Sequence, residues 1–316
     1  MGGVAILMPT LRRPDSLERA LRSLFAQTGV SDRVQCIVVV DNDPATSARD
    51  RVESLKPACP WPLIYVSEPT PGVARARNAG LAATDAPLIA FLDDDEAASP
   101  GWLAALLTAQ VETGADAVFG PIAGRAPEAA EWLKPYLERF FGRDGPAQTG
   151  VVDTPWGCGN SLLVRATALP GAAPFSTSAD QTGGEDDLLF SGLKARGGTF
   201  GWAADAWVEE FAPPHRATLN YTLARAFAYG QGPSQTAAHE RNWAGVLRWM
   251  VIGAGQTVVF GAVSLGLTVI GSPKRAEFYD RSARGLGKLF WMKGFEPHFY
   301  GAREVARLDA LATPRS

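Results

Sequence analysis

Apolar positions along the first hundred residues switch between two periods. Val4 to Met8 is a short apolar run, expected to be a strand. Pro14 then opens a segment whose apolar positions are Leu17, Ala20, Leu21, Leu24 and Phe25, the spacing of one face of an amphipathic helix. Cys36 to Val40 is a β-branched run ending in Asp41-Asn42-Asp43, and Leu63 to Val66 reads as a third strand. Gly72 to Ala83 reads as a helix and Leu88 to Leu92 as a fourth strand. Uniformly apolar strands separated by helices predict an α/β fold, a mostly parallel, doubly wound sheet covered on both faces. Ligands of such sheets bind beyond the carboxyl ends of the strands. Pro9-Thr10, Asp41 to Asp43 and Asp93 to Glu96 follow strand ends and are expected to share one crevice.

Residues 121–155 are rich in Pro, Gly and Trp and read as surface elaboration with the character of a lid. Order resumes at Gly157 to Val164. "GGEDDLLFSGLKARGG" (Gly183 to Gly198) reads as loop, helix and glycine stop, with short strands at Thr199 to Trp202 and Ala206 to Val208. Trp249 to Gly271 then runs 23 positions without a charged residue, long enough to cross a bilayer core, although five glycines and several polar residues interrupt it. The pattern divides the chain into a catalytic domain at 1–235 (a donor half at about 1–120 and an acceptor half at about 121–235) and a helical, membrane-associating region at 236–316.

Composition narrows the classes. The 316 residues carry a net charge of −3, which argues against a nucleic-acid partner. From Arg241 onward, 11 Lys and Arg face 5 Asp and Glu, a local +6 that suits an anionic lipid surface. Basic residues flank the apolar segment on both sides. A spanning helix would therefore put one set on the wrong face, and an interfacial or re-entrant placement would not. A soluble hairpin is the alternative. Cys36, Cys59 and Cys158 form no C-x-x-C pair and read as reduced cytoplasmic thiols. "MGGVAILMPT" has no basic region ahead of its apolar run and reads as a strand, not a signal peptide.

The acids in "FLDDDE" (Phe91 to Glu96) are the sharpest chemical signal. A strand-end D-x-D offers hard oxygen ligands to Mg2+ or Mn2+ shared with substrate phosphates. By itself it also fits a solvated loop, a transferase with a diphosphate leaving group, or a phosphatase with an aspartate nucleophile. Five segments in order decide further: "MPTLRR", "VVVDND", "PGVARARNAG", "FLDDDE" and "GGEDDLLF". With these the chain, over about residues 4–208, resembles the inverting family 2 glycosyltransferases of the GT-A fold. "VEEFAPPHRATLNYTLARAFAYGQG" (Val208 to Gly232) resembles bacterial exopolysaccharide and holdfast members.

The resemblance implies a nucleotide-diphospho-sugar donor, expected to be a UDP-sugar, and Mn2+ or Mg2+. It implies Pro9 and Thr10 at the base, Asp41 on the uracil, Arg77 at the diphosphate, and Asp93 and Asp94 near the ribose and sugar. Asp95 is implied as the metal ligand and Asp186 as the catalytic base; Asn160, Glu185 and Asp187 are acceptor-site candidates. A lipid-linked glycan at the cytoplasmic face of the inner membrane is the expected acceptor. Two departures stand out. Glu209 and Glu210 occupy a stretch that carries a metal-binding His in related enzymes, and no Q-x-x-R-W motif of processive synthases is present. A phosphatase would leave "GGEDD" unused, and an inactive membrane scaffold would not need acids at all three sites.

Overall fold

The computed structural model describes residues 2–180, 184–297 and 299. Gly183 of the "GGEDD" segment, and residues 298 and 300–316 of the expected membrane-associating region, lie outside them. The strands are β1 (Val4–Thr10), β2 (Val34–Asp41), β3 (Leu63–Ser67), β4 (Leu88–Phe91), β5 (Glu96–Ala98), β6 (Ala117–Phe119), β7 (Ile122–Arg125), β8 (Gly150–Val152), β9 (Ser161–Val164), β10 (Phe200–Trp202) and β11 (Val208–Phe211). The helices are α1 (Pro14–Phe25), α2 (Arg49–Leu55), α3 (Val73–Ala82), α4 (Trp102–Thr113), α5 (Lys134–Phe141), α6 (Arg165–Ala168), α7 (Glu185–Ala195), α8 (Leu219–His239), α9 (Trp243–Val269) and α10 (Arg275–Leu289).

Eight strands form one sheet in the order β3-β2-β1-β4-β9-β6-β10-β8. The first four run parallel, and β9 lies antiparallel to both β4 and β6. Alternate side chains of β1 enter opposite cores. Val4, Ile6 and Met8 pack with α1 and α4 residues such as Leu21, Leu24, Trp102 and Leu106. Ala5 and Leu7 pack with Phe91, Phe119, Phe190 and Trp202 on the other face. Burial on both faces is why these strands carry no polar alternation. The chain winds outward in both directions from the β1/β4 pair, so the crevice opens beyond Thr10, Asp41 and Phe91.

Residues 2–123 and 143–210 form one compact unit, and residues 124–142 and 211–297 form a second. The expected boundary at residue 235 falls inside α8. The reading of 121–155 as surface elaboration is corrected. The stretch supplies β7, α5 and β8, and α5 buries Tyr136 and Leu137 within the second unit. Its pattern is hard to read because α5 is only 8 residues long and carries Pro135 in its first turn.

In the second unit, Tyr136 donates its hydroxyl to Asp280 (3.0 Å), which also accepts from Arg284 (2.7 Å). The α9 and α10 backbones meet at glycines. A Cβ at Gly253 would lie 2.6 Å from the Gly285 carbonyl, and one at Gly285 2.8 Å from that of Gly253. Helix α9 is 27 residues long, has a mean hydropathy of 1.7, and is long and apolar enough to cross a membrane. Only 11% of its apolar window is buried, and Leu247, Val251, Val258, Leu265 and Val269 are exposed along one side. It is therefore not a buried core helix.

The glycine contact makes a paired prediction. Gly253→Leu should destabilise the helical unit by about 1–3 kcal/mol through overpacking. Gly255→Ala, which meets no neighbouring atom, should be neutral or stabilising by up to about 1 kcal/mol. Thermal unfolding of the two variants separates these outcomes.

Candidate active site

The crevice is organised by three arginines among many carboxylates, all within the first unit. Leu92 ends the apolar run, and the chain turns at once: the Asp93 N–H donates to Glu96 Oε2 (2.9 Å) and the Glu96 N–H to the Asp93 carbonyl (3.1 Å). The turn aims Asp94 and Asp95 at the end of β1. There Thr10 Oγ1 donates to Asp94 Oδ2 (2.7 Å), and Arg13 Nη1 donates to Asp94 Oδ1 (2.8 Å) and Asp95 Oδ2 (2.7 Å). Burial raises Asp94 to about 6, the neighbouring Asp95 adds to the rise, and Arg13 and Thr10 oppose it. Burial also pushes Asp93 up, helped by Asp95 and Asp186 and opposed by Arg77.

Glu96 closes the turn, its carboxylate beside that of Asp93 near Gly159. It is buried, and in the β5/β11 pair it stands directly opposite Glu210. Burial lifts its carboxyl well above the usual range, with Asp93 and Glu210 adding to the rise. Arg143 is the nearby cation. It donates to the Gly157 carbonyl (3.1 Å), and burial lowers its own pKa against the pull of Glu96 and Glu210.

Arg77, on α3, is 5% exposed and lies near the rings of Phe91 and Phe175. Its guanidinium pairs with Glu185 and stands 3.6 Å from Asp93. Burial opposes its charge, but the surrounding groups, Glu185 and Asp93 among them, outweigh that and raise its pKa. It thus ties the acid turn after β4 to the first turn of α7, which carries Asp186. Glu185 is buried beneath that turn and Asp187 is exposed on it. Gly184 begins α7 at φ 89°, a left-handed conformation that favours glycine.

Asp186 faces the crevice from the opposite side. Its Oδ2 accepts the Cys158 N–H (3.2 Å), and its Oδ1 accepts the Asp187 N–H (2.9 Å). Gly157 and Gly159 make this approach possible. A Cβ at Gly157 would lie 3.0 Å from Asp186 Oδ2, and one at Gly159 2.7 Å from Asp93 Oδ2. The Cys158 thiol is buried and held neutral, its pKa raised well above normal by burial.

The structure brings Thr10, Asp93, Asp94, Asp95, Glu185 and Asp186 together, and Pro9 is partly exposed beside Thr10. It sets two residues elsewhere. Asn160 is fully buried at φ 54°, donating to the Pro121 and Ala206 carbonyls and accepting from Trp102 Nε1 (2.7 Å). It braces the scaffold. Asp41 is also fully buried, accepting from the Asp43 and Ala48 N–H groups and from the Tyr65 hydroxyl. It organises the loop after β2. The sequence reading gives no role to Arg13, Arg143, Gly157 or Gly159, and it places Glu96 in the crevice only as the end of the acid run. The alternating "GCG" before Asn160 was the one available signal, since a glycine in such a place marks close approach.

The donor set fits a divalent cation shared with substrate phosphates. Hard oxygen donors outnumber the arginines, and burial, reinforced by neighbouring carboxylates, raises the proton affinity of Asp93, Asp94 and Glu96. No three His, Cys, Asp or Glu side chains among the described residues converge as a protein-only cage.

A sheet that reverses its winding at β1/β4, with paired acids at that point and a carboxylate opposite them, has the architecture of the GT-A fold. The chain belongs to glycosyl transferase family 2, whose sequence profile, "Glycosyl transferase family 2", matches residues 5–167. It is 35% identical over 300 residues to the succinoglycan biosynthesis protein ExoM of Rhizobium meliloti (strain 1021), covering 94% of this chain and 95% of that protein. Validoxylamine A glucosyltransferase of Streptomyces hygroscopicus subsp. limoneus is 29% identical over 155 residues, 48% of this chain and 34% of that one. The fold is similar to that in the crystal structure of S. aureus TarS 1-349 in complex with UDP (TM-score 0.53, 14% identity, 92% of each chain). The phosphatase reading of the acids is thereby set aside.

Two outcomes test the electrostatics. Arg77→Met should cost about 3–5 kcal/mol, because Glu185 and Asp93 lose their buried counter-charge. The double variant Arg77→Met/Glu185→Gln should recover part of that loss in denaturant unfolding, and strict additivity would contradict the pairing. Because Asp94 is raised from 3.8 to about 6, the folded protein holds a proton there that the unfolded chain has released. That stability is present below the unfolded value and is lost as pH rises to about 6. Thermal unfolding of the metal-free protein should therefore weaken across this interval, and Asp94→Asn should flatten the decline.

Proposed function

We propose that this protein is an inverting, metal-dependent glycosyltransferase. It moves one sugar from a UDP-sugar to a lipid-linked glycan in bacterial surface polysaccharide synthesis. The observation that carries the reading is Asp186, fixed by two backbone N–H groups, facing the acid turn Asp93–Asp95. The near full-length likeness to a succinoglycan biosynthesis protein supports the pathway class. The UDP in the TarS structure supports the donor.

In this mechanism Asp186 takes the proton from the acceptor hydroxyl. The hydroxyl oxygen forms a bond to the anomeric carbon from the face opposite the diphosphate, the carbon–diphosphate oxygen bond breaks, and the configuration inverts. A positioned base is typically worth 10²–10⁴ in rate. Asp95 is the chain's ligand for Mn2+ or Mg2+, which when bound supplies the charge that neutralises the departing diphosphate. Thr10, Asp93 and Asp94 shape the donor pocket with Pro9, and Asp41 holds the loop beside the base. Arg77 acts from beneath, keeping Asp93 and the α7 turn in register. Asp187 remains an acceptor-side candidate. The exposed apolar side of α9 and the basic residues around it hold the enzyme at the cytoplasmic face of the membrane.

Assay with a panel of UDP-sugars tests these roles. Asp186→Asn should keep donor binding and lose about 10²-fold or more in kcat. Asp95→Ala should lose turnover and metal-dependent UDP binding while the fold persists. Undiminished, metal-independent turnover in Asp95→Ala would refute the metal assignment. A normal kcat with collapsed binding in Asp186→Asn would move the base elsewhere.

A further inference from the structure

A recess in the first unit is not used by any step above. It has a cavity volume of about 260 Å3, and its lining includes Trp207, Trp202, Asp144, Asp205, Gly145 and Pro121. We propose that it is a subsite for a non-reacting pyranose ring of the glycan acceptor, a ring behind the one whose hydroxyl reacts. This rests on the glycosyl-transfer reading only in calling the ligand an acceptor.

The chemistry of the walls selects a sugar. A pyranose has an apolar face of C–H groups and an edge of hydroxyls. It is matched by an aromatic surface beside hydrogen-bond acceptors. Trp207 provides the surface. Its indole is 44% exposed, although Ala206 and Val208 on either side are buried. Asp144 and Asp205 are exposed carboxylates at the same recess, and they accept hydroxyl protons in charge-assisted bonds.

The floor is rigid. Trp202 is 1% exposed, donates Nε1–H to the Pro146 carbonyl (2.8 Å) and packs against Trp156 with ring centres 4.7 Å apart. A Cβ at Gly145 would run into the Trp202 ring, so this glycine lets the 145–147 segment lie on the indole. A fixed aromatic floor loses little freedom when a ligand binds, which favours affinity.

The recess is also tied to the reacting centre. Asp144 follows Arg143, whose guanidinium donates to the Gly157 carbonyl, and the next residue, Cys158, holds Asp186. Trp207 lies three residues before Glu210, roughly 10 Å at the rise of an extended chain. Glu210 stands opposite Glu96, which caps the Asp93 turn. A second or third ring of a glycan bridges such a separation.

Cellobiose, a neutral β-linked disaccharide, is the probe, titrated into the full-length protein with tryptophan fluorescence and saturation-transfer NMR as readouts. UDP is titrated separately. Binding in the millimolar range is expected, weakened roughly tenfold or more in Trp207→Ala. Trp207→Phe should keep most of the affinity, Asp205→Asn should weaken it, and UDP affinity should be unchanged in all three. No cellobiose binding up to about 0.1 M would overturn the subsite, as would equal binding by wild type and Trp207→Ala. Failure of UDP to bind the wild type would instead strike the donor reading and leave the saccharide result standing.

Discussion

Negative charge crowded into a largely buried crevice is the constraint on which the rest of this structure depends. Asp94, Asp95, Glu96 and Glu185 are each less than a tenth exposed, and Asp93, Asp186 and Glu210 add to the same field. Carboxylates removed from water must be paired, protonated or neutralised by a ligand. Arg13, Arg77 and Arg143 answer only part of that demand. The remainder appears as raised proton affinity at Asp93, Asp94, Glu96 and Glu185. Such a site is costly to fold, as binding sites often trade stability for function.

The scaffold serves this crowding. Thr10 and Arg13 reach from the β1 end, Arg77 from α3, and Arg143 from the segment before β8. Glycines at 157 and 159 remove the side chains that would keep Asp186 and Asp93 apart. Asn160 then fastens the same stretch to the core through Trp102, Pro121 and Ala206. In the helical unit the same device reappears in an apolar setting, where Gly253 and Gly285 let two backbones touch and leave the outer side of α9 exposed.

The parallel half of the sheet was legible in the sequence because burial on both faces leaves unbroken apolar runs at β1, β2 and β4. The acid turn and the Glu185–Asp187 cluster were legible as residue types at strand and helix ends. The pairings were not. Arg77 meets Glu185 across 108 positions and Arg13 meets Asp95 across 82, and no local pattern encodes such contacts. The burial of Asp41 and Asn160 was equally hidden, since their polarity suggested exposure while three or more hydrogen bonds each made the interior tolerable. Helix α5 escaped because its partners come from residues 211–297, which follow it in the chain.

Anomalous diffraction from crystals grown with UDP and Mn2+ tests the central claim most directly. If the acid excess exists to be neutralised together with the donor, a manganese peak should touch the Asp95 carboxylate and both phosphates of UDP. UDP bound in the crevice with no manganese beside Asp95, or manganese bound away from the acid turn, would contradict the account.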